Sequence, residues 1–64
     1  MSEKRKQIET SKSYIDEAGQ NLRKAAEYAD KAGDGGLAKT VRKLQEQAGE
    51  VSGEIGRKLN PKNG

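Results

Sequence analysis

The sequence predicts an all-α protein, an antiparallel hairpin of two helices spanning about residues 3–32 and 37–59. Two such hairpins are expected to join as a four-helix bundle. Three observations carry this. Ile8, Ile15, Leu22 and Ala29 recur every seven residues, and Ser11, Ala18, Ala25 and Ala32 follow three residues after each. A second row of the same period follows, with Val41, Ala48 and Ile55 at one position and Leu37, Leu44 and Val51 at the other. Between the rows stands Gly33-Asp34-Gly35-Gly36. Heptad spacing holds a stripe on one helix face and predicts left-handed supercoiling. The expected seam is therefore Ile8, Ile15, Ala18, Leu22, Ala25 and Ala29 against Leu37, Val41, Leu44, Ala48, Val51 and Ile55.

Size makes self-association a strong expectation. The 64 residues form one domain, 1–64, with 33–36 as the turn and 60–64 as a flexible tail. A core this small usually needs a disulfide, a metal or a second copy. Cysteine and histidine are both absent, which removes disulfides, thiol chemistry and the usual zinc sites. Apolar residues are only 30% of the chain, many of them alanine, while 36% are charged. That charge raises the question of disorder, but two apolar rows held in phase argue for folding.

The first helix opens on Ser2 as N-cap, with Glu3 in its first turn. Arg5 stands where a capping box needs Glu or Gln. Glu27 precedes Lys31 by four residues, the favourable order for a helical ion pair. Gly19 marks either a close helix approach or a weak point. Tyr14 and Tyr28, fourteen residues apart, each precede a seam residue and widen one flank of the stripe. A second hairpin docked there would bury both rings.

Gly33 suits the left-handed position that ends a helix, and Asp34 can cap the next. The loop lacks the Gly-Lys-Ser/Thr ending of a phosphate-binding loop. The second helix stops at Asn60-Pro61, because proline disfavours helix in the residue before it. Gly49, Gly53 and Gly56 weaken its second half. They suggest fraying, mobility before a partner arrives, or close approach of another backbone.

The hairpin joins the two basic ends of the chain, Lys4, Arg5 and Lys6 with Arg57, Lys58 and Lys62, and Lys12 nearby. Such a cluster suits phosphate contacts. Lys39, Arg42 and Lys43 open the second helix against its dipole, which hints at an acidic partner outside the chain or on another subunit, with Glu46 satisfying part of Arg42. Glu46, Glu50 and Glu54 follow as an acidic stripe.

No catalytic residues are identified. Ser11 is assigned to the seam. Ser13, Ser52, Thr10 and Thr40 have no histidine base, and Asp16-Glu17 is an ordinary helical surface pair. No metal, cofactor or small-molecule substrate is expected. No membrane span is expected, and without an apolar leader the expected location is the cytoplasm, with non-classical export left open. The expected function is a small non-enzymatic regulatory or adaptor protein that binds a partner protein through a helical face. Its candidate contacts are Tyr14, Tyr28, Arg42, Glu46, Glu50 and Gly53. One alternative is a nucleic-acid binder using Lys4, Arg5, Lys6, Lys12, Arg57 and Lys58; the net charge of +3 allows this without requiring it. Another is a self-assembling structural helical protein.

Overall fold

The computed structural model describes residues 2–60. They form an antiparallel hairpin of α1 (Glu3–Lys31) and α2 (Gly35–Leu59). Its dimensions are 48 × 22 × 11 Å. Residue 1 and residues 61–64, which include Lys62 and the proline stop, lie outside the described residues.

Each helix end is satisfied by a specific group. The Ser2 hydroxyl accepts from the Arg5 backbone N–H at 3.2 Å. At the far end of α1, the Gly33 N–H donates to the Asp30 carbonyl and the Asp34 N–H to the Ala29 carbonyl, both at 2.9 Å. This pair of bonds is a Schellman motif, and it needs Gly33 at φ +77°. The Asp34 carboxylate then accepts from the Leu37 N–H at 3.0 Å. Its own carbonyl takes the Ala38 N–H. These bonds draw Gly35 and Gly36 into the first turn of α2, so that helix begins before the expected residue 37. The open end is tied by Arg5, whose guanidinium donates to the Leu59 carbonyl at 2.9 Å. That carbonyl, in the last turn of α2, has no partner within its own helix.

The seam differs from expectation at one of its two positions. Ile8, Ile15, Leu22 and Ala29 do face Val41, Ala48 and Ile55, all half-buried except Ala29, which is buried. Their companions lie three residues before them in each helix, not three after. On α1 these are Lys12, Gly19 and Ala26; on α2 they are Ala38, Gln45 and Ser52, with Leu59 at the end. The fully packed part is narrow: Ala26, Ala29 and Ala38 are the buried apolar residues. The expected seam residues Ala25, Leu37, Leu44 and Val51 are exposed, and Ser11 and Ala32 are exposed with them. Ala18 lies at the seam's edge, half-buried.

The physical reason is the approach distance. Gly19 sits opposite Ala48, where an added Cβ would come within 3.9 Å of the Ala48 methyl. Small residues at the contact bring the two axes together. A leucine row cannot enter so narrow a gap, and it turns to the side. Lys12, Gln45 and Ser52 fill the open half with polar groups at the edge. The Lys12 stem passes Gly56, and its ammonium reaches Asp16 at 3.1 Å.

Candidate interaction surface

In an antiparallel pair, the same side of each heptad faces the same side of the hairpin. The residues flanking the seam therefore sort into two surfaces. One is polar: Asp16 and Arg23 of α1 line a groove there with Gln45, Gly49 and Ser52 of α2. The Ser52 hydroxyl donates to the Asp16 carboxylate, across the hairpin. That bond, aided by Lys12, holds the Asp16 carboxyl below its usual pKa, while partial desolvation opposes the shift. Arg42 pairs with Asp30 on the same side. This corrects two expectations. Arg42 takes its partner from the facing helix, not from Glu46, and that acidic partner lies within the chain. Lys31 likewise leaves Glu27 and lies over the Tyr28 ring, 4.9 Å from its centre.

The other surface is apolar. Its α1 row is Ser11, Ala18, Ala25 and Ala32; its α2 row is Leu37, Leu44 and Val51. The register set by Gly19–Ala48 and Asp16–Ser52 puts Leu37 across from Ala32, Leu44 from Ala25, and Val51 from Ala18. Leu37, Leu44 and Val51 are 51, 48 and 41% exposed. Tyr14 and Tyr28 border the alanine row on its outer side and are 68 and 66% exposed. Large side chains thus stand on one helix and small ones beside them on the other. The surface closes toward the open end, where Lys4 and Lys58 flank a notch floored by Ile8, Ser11 and Ile55.

Among the other candidate contacts, Glu46, Glu50 and Gly53 lie exposed on the outer side of α2. The basic end is divided by the fold. Arg5 is engaged with Leu59 and Glu9, and Lys12 with Asp16. Lys4, Lys6, Arg57 and Lys58 make no ion pair among the described residues. The signal for the apolar surface is present in the sequence as the Leu37, Leu44 and Val51 positions of the second row; the structure turns these to the flank and keeps Val41, Ala48 and Ile55 in the seam. Gln45 and Ser52 were not singled out as seam positions, since neither is apolar.

Among the described residues, no group of three or more His, Cys, Asp or Glu is placed to hold a metal ion. No helix among them is long and apolar enough to cross a membrane. No known family model, curated protein or solved structure matches the chain.

Proposed function

We propose that this chain is a small, non-catalytic helical interaction module that works as a pair. Two hairpins join through their apolar surfaces into a four-helix bundle. The bundle then offers the outer side of α2, with Glu46, Glu50 and Gly53, to a partner protein, while Arg42 is held by Asp30 at its margin. One observation carries the reading. The buried core of the single hairpin is Ala26, Ala29 and Ala38, while Leu37, Leu44, Val51 and both tyrosines stand in solvent. Burying a large apolar side chain contributes about 1.5–3 kcal/mol, and alanine far less. A hairpin that exposes these five large side chains on one side has left part of its available hydrophobic stabilisation unused. A second copy uses it, and disulfides and the usual zinc sites are closed to a chain without Cys or His.

Sedimentation equilibrium tests the assembly: a dimer at micromolar concentration is expected, and a monomer at every concentration overturns it. Capture experiments with the intact bundle and a Glu46→Lys/Glu50→Lys variant test the outer side. A partner retained equally by both variants overturns that assignment.

A second reading has its own support in the unpaired ammonium and guanidinium groups of Lys4, Lys6, Arg57 and Lys58. They suit the phosphates of a nucleic acid. Binding of this kind weakens steeply with salt. Loss of RNA and DNA retention on Lys4→Ala/Arg57→Ala, with the fold intact by circular dichroism, is its expected signature.

A further inference from the structure

We infer that the second copy docks turned end over end, its turn lying above the open end of the first. The inference rests on the apolar surface being the site of self-association, and it specifies how that surface is used. Two twofold arrangements can bury this surface between identical copies. With the axis along the helices, both turns lie at one end and α1 packs on the partner's α2. With the axis across the helices, the turns lie at opposite ends, α1 packs on the partner's α1, and α2 on the partner's α2.

Charge separates the two. Lys4 and Lys58 border the apolar surface at its open end. With turns together, four ammonium groups converge on one end of the interface, a like-charge juxtaposition that disfavours the pairing. With turns opposed, the two lysine pairs part to opposite ends of the interface, and each Lys58 lies at the level of the partner's Leu37, one turn from the Asp34 carboxylate.

The spacing of the surface residues points the same way. Ala18 and Ala25, Tyr14 and Tyr28, and Leu44 and Val51 share one midpoint, near Leu22 on α1 and Gln47 on α2. Turning a copy over about that level lays Ala18 on the partner's Ala25 and Leu44 on the partner's Val51. The alanine rows let the two α1 helices approach closely, while the leucine and valine rows mesh beside them. The same operation brings Tyr14 to the level of the partner's Tyr28 on the same outer edge. Two such pairs form, one on each side of the axis, where aromatic rings gain from stacking as well as burial. With turns together, the tyrosines face the level of Thr40 and Glu54 instead, and neither gains an aromatic partner.

The chain has no cysteine, so introduced ones report unambiguously. Tyr14→Cys and Tyr28→Cys are prepared as single variants and treated with a short bifunctional maleimide. An equimolar mixture is expected to give covalent dimer, and either variant alone is not. In the turned-over dimer, like positions are separated by fourteen residues of helix, about 20 Å. A mixture that sediments as dimer but does not cross-link overturns the orientation and leaves the dimer standing. A chain that is monomeric throughout overturns both. Lys4→Ala/Lys58→Ala, with the tyrosines intact, gives an independent measure. Dimer dissociation should rise by about twofold, the effect of losing the weak exposed pairing of Lys58 with the partner's Asp34. Tighter association on losing the lysines would show that they repel one another, and would overturn the proposal.

Discussion

Asp16 is a helical surface carboxylate whose behaviour is set by a residue far along the chain. The Ser52 hydroxyl donates to it across the hairpin, and Lys12 donates from one turn earlier. Both favour the charged form, with Ser52 the larger influence, so the folded carboxyl titrates below its ordinary value. A group depressed in this way stabilises the fold above its unfolded pKa, and that contribution is lost as pH falls through the folded value. Ser52→Ala should therefore raise the Asp16 pKa toward normal, read by carboxyl NMR titration, and shrink the loss of stability in acid. An unchanged titration would mean that Lys12 alone holds the carboxylate. Gly33 is the other residue whose identity the backbone dictates. At φ +77° a Cβ is strained even though nothing lies within 4 Å to obstruct it. Gly33→Ala should cost roughly 1–2 kcal/mol, seen as a thermal midpoint lower by about 4 °C or more.

The two helices were legible in the sequence because their heptad rows, caps and turn agree with one another. Ser2, Gly33 and Asp34 occupy the cap positions that their chemistry favours. Less legible was which neighbour of the main row enters the seam. On α1 the choice lay between Ala18 and Ala25 on one side and Gly19 and Ala26 on the other, sets of nearly equal size and polarity. Only the approach distance of the facing helix decides it, and that depends on Ala38 and Ala48 far away in the chain. The Arg42–Asp30 pair was hidden for the same reason, since it needs the hairpin register before its partner can be named. The glycines of α2 posed an opposite difficulty: the helix runs unbroken through Gly49, Gly53 and Gly56 to Leu59. A Cβ on Gly49 would meet nothing within 4 Å, and one on Gly53 would meet only the Arg57 guanidinium at 3.9 Å. Gly49→Ala and Gly53→Ala should each stabilise the helix by about 1 kcal/mol, raising the thermal midpoint. A fall in stability at either site would mean that the missing side chain makes room for another backbone.

At the scale of the whole molecule, the deciding fact is that packing within the hairpin and exposure beside it have the same origin. Alanines and glycine at the contact bring α1 and α2 close, and closeness expels Leu37, Leu44 and Val51 to the flank. Only Ala26, Ala29 and Ala38 are fully buried in the hairpin, and the larger seam residues Ile8, Ile15, Leu22, Val41 and Ile55 are half-buried. Folding and association are therefore expected to be one event, with a thermal midpoint that rises with protein concentration. Leu44 is the most informative residue for this coupling, because it stands mid-row on the apolar surface and outside the intrachain seam. Leu44→Lys should leave the contacts within the hairpin untouched while placing two charges in the proposed bundle. Losing the burial of two leucines, at about 1.5 kcal/mol or more each, weakens association about a hundredfold. Circular dichroism against concentration is the measurement. If the helix signal of Leu44→Lys collapses at concentrations where the parent chain is fully helical, and returns on concentrating the sample, folding depends on the second copy. If the variant is as helical and as heat-resistant as the parent at every concentration, the narrow alanine seam is sufficient by itself and the exposed row has no part in holding the fold.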